Sequence, residues 1–313
     1  MQATQQTAVQ ESDEIDLAEL VKTLWRGKSL IGGTTLIGAT LAIIVTLQMP
    51  NIYRAQVLLA PSESQKGGGL AALAAQVGGL ASLAGVSLGD SKADKTDIAI
   101  EVAKSRQFVT QFIRRHHLEP YVMAATRWDK PSNTVMLDAS IYNPQQQKWV
   151  REVKEGQSLA PSDWELFQAF DGIVGINKDK KSGLVTITVD YLSPHIAKQW
   201  TDWIVRDLGD VMKEKDKSDA RRNIEYLKKQ LDKTNIADMQ SVFYQLIEEQ
   251  TKTLMLTEVQ QEYVFKTLDP AVVAEDKHRP KRAMITIIST MLAFILGSLF
   301  VLLSGTMEKP AKK

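Results

Sequence analysis

Lys277, Arg279, Lys281 and Arg282 stand within six residues, and behind them, from Ala283 to Ser304, no side chain can ionise. Clustered lysine and arginine can hold anions, arginine through a planar fork of donors. What these four meet depends on the surface that end of the apolar run occupies. A second basic cluster, Arg114-Arg115-His116-His117, reads as the basic end of a helix, which the macrodipole favours, with an anion site as the alternative. Arg26-Gly27-Lys28-Ser29 imitates the end of a phosphate-binding loop. That loop needs a glycine where Lys22 stands and a strand before it, and an apolar run follows instead. His116, His117, His195 and His278 show no metal-ligand spacing and read as solvated or packed side chains. There is no Gly-x-Ser-x-Gly elbow, and Glu248-Glu249 lies on lysine-rich helical pattern that a solvated face explains. Absence of cysteine removes thiol catalysis, thiolate metal sites and disulfides. The residues thus assign no catalytic group, cofactor site or metal ligand. The 38 lysines and arginines nearly balance 37 acids, so no global field points to nucleic acid or an acidic substrate.

The elements around these residues are dominated by two apolar runs. Ala283–Ser304 is long enough, at about 1.5 Å per residue, to cross a hydrocarbon layer of roughly 30 Å. Ser29–Met49 is also uncharged, with Trp25, Arg26 and Lys28 at one end and Tyr53 and Arg54 past the other, as interfacial anchors sit. A cleaved signal peptide is the alternative. Glu11, Asp13, Glu14, Asp16 and Glu19 suit it badly, as do the run's length and the lack of a small-residue cleavage site. The expected layout is a tail, 1–28, a span, 29–49, a domain, 50–282, a second span, 283–304, and a tail, 305–313. Both tails share one side. Flanking charge does not choose it, because long domains translocate regardless of charge. Small residues recur at four-residue steps in both spans, as Thr34, Gly38, Ala42 and as Ser289, Ala293, Gly297, and such faces allow close helix packing.

In the first tail, Leu17, Leu20, Val21 and Leu24 form an amphipathic helix face, with Asp16 and Glu19 as a capping pair. Tyr53, Ala55, Val57 and Leu59 alternate as a strand up to Pro61. Gly67–Gly89 is uncharged but rich in glycine and alanine, and reads as a loop, with a membrane-dipping segment as the alternative. Ala93–Leu118 is helical, with Ser105 capping a segment that carries Phe108, Phe112 and Ile113. Glu119–Ser162 shows little periodicity. SDWELFQAF reads as a short helix, and Gly172–Tyr191 as a hairpin around a Lys-Lys-Ser-Gly turn. Ser193 and Pro194 open a helix, and helical pattern continues to about Lys266. The stripe Ile224, Leu227, Leu231 and the stripe Ile236, Met239, Phe243, Leu246, Ile247 are out of phase. Asn235 serves as a cap between two long helices, or within one disturbed one. Helices this long exceed what so small an α+β domain can bury, so packing between subunits is expected.

With these residues in view, the chain resembles the Wzz-type polysaccharide chain-length determinants, or polysaccharide co-polymerases. The resemblance rests on IDLAELVKTLWRGK before the first span, YRAQVLLAP after it, VTITVDYLSPHIAKQWTDWIV in the centre and EYVFKTLDPAVVAEDKHRPKRAMI before the second span. Val273-Ala274-Glu275 stands where family members often carry a further proline. The resemblance implies an α+β fold in which two transmembrane helices flank a periplasmic domain with a small membrane-proximal sheet and long helices. It also implies a homo-oligomeric ring, an inner-membrane location and no enzymatic activity. The role implied is setting the chain length of a surface polysaccharide such as O-antigen, with a polymerase in the same membrane as partner. In that setting Pro270 and Pro280 end the helix before the lipid, and Arg279, Lys281 and Arg282 reach lipid phosphates or the pyrophosphate of a lipid-linked glycan. A two-span sensor is the competing class, but tails this short leave no room for an output domain. An export component with kinase function is another. It needs a phosphate-binding loop after the second span, or a separate kinase chain.

Overall fold

The computed structural model describes residues 17–62 and 95–307. In chain order its elements begin with α1 (Leu17–Arg26), α2 (Lys28–Gln48), β1 (Tyr53–Pro61), α3 (Lys95–Lys104), α4 (Arg106–Arg115) and α5 (Glu119–Met123). The strands β2 (Ala125–Asp129), β3 (Thr134–Leu137), β4 (Tyr142–Asn143) and β5 (Lys148–Trp149) follow, then α6 (Asp163–Asp171), β6 (Val174–Lys178) and β7 (Val185–Tyr191). Two long helices, α7 (Pro194–Leu231) and α8 (Ala237–Val259), lead to β8 (Phe265–Asp269) and α9 (Arg282–Met307). The chain divides into two compact units, Asn51–His278 and the two chain ends, Met1–Pro50 with Arg279–Lys313. The Asp16 capping pair, the Gly67–Gly89 segment and residues 308–313 lie outside the described residues.

The first unit is built on alternation. Ala55, Val57 and Leu59 are buried on one face of β1, as a period of two requires. β1 is an inner strand of an antiparallel sheet of order β6-β7-β1-β8, pairing Tyr53 with Tyr191 and Val57 with Ile187. Val185, Ile187, Val189 and Tyr191 alternate inward from β7. Against that face α7 presents Trp200, Ile204 and Leu208, while Phe112 and Ile113 of α4 and Leu166 and Phe170 of α6 complete the core. Trp200 is the hub, its ring 4.4 Å from that of Tyr191 and 6.0 Å from that of Phe170.

Local chemistry sets the boundaries. Ser105 Oγ accepts the Phe108 amide at 3.2 Å, and Ser193 Oγ accepts that of Ile196 at 3.5 Å ahead of Pro194. Ser162 and Glu165 form a reciprocal capping box on α6. In the β6–β7 turn the Asp179 carboxylate accepts the amides of Lys181 and Ser182, both at 2.8 Å. Those bonds hold its pKa below the usual carboxylate range. Gly183 supplies the left-handed φ of 72° that closes the turn.

Two expectations about the long helices need correction. Asn235 is not the cap: Ile236 occupies that position with no side-chain bond, and residues 232–236 form the connection. Helical structure stops at Val259 rather than near Lys266. Phe265–Asp269 is instead an edge strand bonded to β1, because five extended residues with Phe265 turned inward satisfy the backbone groups that β1 leaves open on that side. No helix reaches Pro270, which follows a strand, and Pro280 lies in the non-helical stretch 270–281. α7 and α8 fold back on one another, with Asn223 Nδ2 donating to Gln250 Oε1 at 3.2 Å and Lys217 paired with Glu258. Phe243, Leu246 and Ile247 are half-buried, whereas Ile236 and Met239 remain exposed, as do Tyr226, Tyr244, Met255 and Val259.

Candidate functional site

Lipid gives two apolar helices no hydrophobic gain on meeting, so they approach where side chains are small. α2 and α9 meet in this way within one chain. A methyl group added to Gly38 would stand 2.5 Å from the Cβ of Ala293, and one on Gly297 would stand 2.3 Å from Thr34 Oγ1. Four residues forward on α2 corresponds to four back on α9, an antiparallel register that, continued one step, predicts Ala42 opposite Ser289. Of the small residues read from the sequence, Thr34, Gly38, Ala293 and Gly297 thus meet inside a single chain. Thr34 and Thr35 donate to the Ile31 carbonyl, Thr46 to that of Ala42 and Thr290 to that of Thr286, so these four hydroxyls are satisfied within their own helices. Both helices are long and apolar enough to cross a membrane.

At one end of this pair Gly27 separates α1 from α2, and its carbonyl accepts the amides of Leu30 and Ile31 at 3.0 Å each. A side chain at Gly27 would run into Val301, 2.3 Å away. Lys28 Nζ lies 5.2 Å from the centre of the Trp25 ring. Arg26-Gly27-Lys28-Ser29 is therefore a helix junction, and the glycine serves close packing rather than phosphate binding. At the opposite end Arg282 Nη2 donates to the Met49 carbonyl at 3.3 Å, where α2 ends. A cation at a helix C-terminus meets both an open carbonyl and the negative end of the dipole. Arg282 is half-buried in this position, while Lys277, Arg279 and Lys281 are exposed. Sequence spacing singled out Arg282 but offered no sign of its partner, since the two residues lie 233 positions apart.

The other basic cluster is neutralised. Arg114 Nη2 lies 2.5 Å from Asp163, and Asp207 takes both His116 Nε2 at 2.9 Å and Arg115 Nη1 at 3.4 Å. His116 stacks on Trp203 with ring centres 4.2 Å apart, which makes it a packed histidine. Among the described residues no group of three or more histidine, aspartate or glutamate side chains could hold a metal ion.

The poorly periodic stretch Glu119–Ser162 owes its order to side chains that sequence reading overlooked. Arg151 makes two bonds to Glu165, at 2.6 and 3.0 Å, and donates from Nε to the Leu159 carbonyl at 2.8 Å. The guanidinium, with the capping amide of Ser162, pulls the Glu165 carboxyl down to about 2.

Residues 13–116 match the family model for chain length determinant protein, Wzz. The match takes in α1, α2, β1, α3 and α4, and over that stretch the likeness read from the residues is shown. No curated protein matches the chain. Among solved structures, a full-length bacterial polysaccharide co-polymerase aligns over 96% of this chain and 100% of its own, at 12% identity and a TM-score of 0.37.

Proposed function

We propose that this protein regulates, without catalysis of its own, the chain length of a surface polysaccharide, O-antigen or a related lipopolysaccharide glycan, made by a polymerase in the same membrane. The carrying observation is the match of residues 13–116 to the chain length determinant model. In this reading α2 and α9 cross the bacterial inner membrane, residues 50–282 lie in the periplasm, and residues 1–28 and 305–313 lie in the cytoplasm. Two antiparallel apolar helices joined at both ends of one domain support that arrangement. Subunits assemble as a closed homo-oligomer. The apolar side chains that α7 and α8 leave in water, Tyr226, Tyr244 and Val259 among them, support it. Arg282 works as an anchor at the helix ends, and Arg279 and Lys281 contact lipid phosphates, with a lipid-linked glycan pyrophosphate as the competing ligand.

The decisive experiment is a gel profile of the surface glycan from a deletion strain. Loss of the modal length, restored by the intact gene, is expected, and an unaltered profile would sink the proposal. Topology is tested separately. The chain has no cysteine, so Ser182→Cys and Ser12→Cys each carry one thiol. An impermeant reagent on intact cells should label the first and spare the second.

A further inference from the structure

Within Asn51–His278 one region has the make-up of a ligand site that none of the preceding roles uses. An open cleft of about 590 Å³ lies between α5 and the β4–β5 ladder, lined by the rings of Tyr121, Tyr142 and Trp149 and by His117, Glu119 and Gln147. Its volume falls in the range of small-molecule sites, roughly 300–1,000 Å³. Tyr142 and Trp149 are directly paired across the ladder, with ring centres 4.9 Å apart at 61°. Both stay half-exposed, outside the hydrophobic core.

The backbone around the cleft is held in a costly conformation. His117 and Gln147 have φ of 53° and 51°, and they are two of the three non-glycine residues in the left-handed region among those described. That region costs a side chain about 1–2 kcal/mol that glycine would avoid. The imidazole and the amide are therefore kept at a cost to stability, and both line the same cleft. The walls are tied down as well. The Tyr191 hydroxyl, whose pKa burial raises, donates to the Tyr121 carbonyl at 2.8 Å, fixing α5 to strand β7. Asn143 Oδ1 accepts the amides of Gln145 and Gln146, which sets the turn that presents Gln147.

The lining selects a ligand class. No lysine or arginine is among the lining residues, so a phosphate or carboxylate would find no counter-charge. Aromatic faces beside an amide, an imidazole and a carboxylate suit a ligand with C–H-rich faces and many hydroxyl groups. We propose that this cleft binds a short stretch of uncharged polysaccharide, with Tyr142 and Trp149 as stacking platforms and Glu119 and Gln147 as hydroxyl partners. The proposal rests on the chain-length reading above and commits to the sugar chain rather than to any lipid-linked pyrophosphate.

The test uses the full chain, purified in a detergent without a sugar headgroup. The probe is a set of oligosaccharide fragments cut from the host bacterium's own surface polysaccharide, followed by saturation-transfer NMR and calorimetry. Inorganic pyrophosphate and a proline-rich peptide, the other ligand class that aromatic grooves take, serve as competitors. Fragments should bind, Trp149→Ala and Tyr142→Ala should each weaken binding roughly tenfold, and Trp149→Phe should largely restore it. Circular dichroism of each variant should match the parent, and neither competitor should displace the fragments. The proposal is overturned by no fragment binding up to about 10 mM, by unchanged binding in both alanine variants, or by the peptide occupying the cleft instead. If the deletion strain has altered glycan lengths and the fragments do not bind, the cleft alone fails. Unaltered lengths would sink the chain-length function whatever the fragments do.

Discussion

The helix pair and the sheet unit solve the same problem with opposite residues. Around Trp200 the sheet unit packs large rings, and burying them from water is what holds it together. Along α2 and α9 the contact points are Gly38, Ala293, Thr34 and Gly297, where what matters is the absence of side chain. A mutation should therefore do harm in opposite directions: removing atoms wounds the sheet unit, and adding them wounds the helix pair.

The largest effect is expected from Trp200→Ala. It leaves a void between Tyr191 and Phe170 and should cost about 3–5 kcal/mol, seen as early loss of the domain's thermal transition. A cost below about 1 kcal/mol would show that the rings are not what holds the sheet unit. Next is Gly297→Leu, which drives atoms into Thr34 and should cost about 1–3 kcal/mol of packing. Paired cysteines at Ala42 and Ser289 should then lose their disulfide yield, while protease resistance of the Asn51–His278 unit stays intact. Cross-linking that survives unaltered would break the contrast.

A smaller effect, about 0.5–1.5 kcal/mol, is expected from Arg282→Lys, which gives up the bond to the Met49 carbonyl. It should loosen the helix ends yet leave the modal glycan length alone at normal protein abundance. A shortened glycan would move the basic cluster from anchoring to ligand work. The smallest concerns Glu165, 39% exposed beside Arg151. Its folded pKa of about 2 lies below its ordinary 4.5, so its contribution is complete above that ordinary value and is lost as pH falls through about 2. Exposure limits it to about 0.2–1 kcal/mol. Arg151→Met should remove that acid-dependent part, and acid melts of the two proteins that run parallel between pH 5 and 2 would reject it.

What could be read from the residues alone follows the range of the forces involved. The apolar runs, the alternation of β1, the β6–β7 hairpin and the caps at Ser105 and Ser193 are written within a few residues, and local periodicity reveals them. β8 was hidden because FKTLD has too few residues to announce a strand, and its identity comes from pairing with β1 some 200 positions away. The small faces of α2 and α9 were legible, but spacing cannot say whether such a face meets its own chain or another. The cleft was the least visible. Its elements are as short as two residues, and the left-handed turns at His117 and Gln147 occupy positions where a glycine or asparagine would have given a signal.

Helix α7 has a mechanical side. Its 38 residues make an unbroken rod of about 57 Å, and most of its buried residues lie between Pro194 and Met212. The remaining arm, to Leu231, is about 28 Å long. A rod pivoting at its embedded end magnifies rotation: a tilt of roughly 10° there sweeps the tip through about 5 Å. The embedded turns that end at Met212 are in effect the fulcrum, and the tightness of their packing bears on how far the tip can swing.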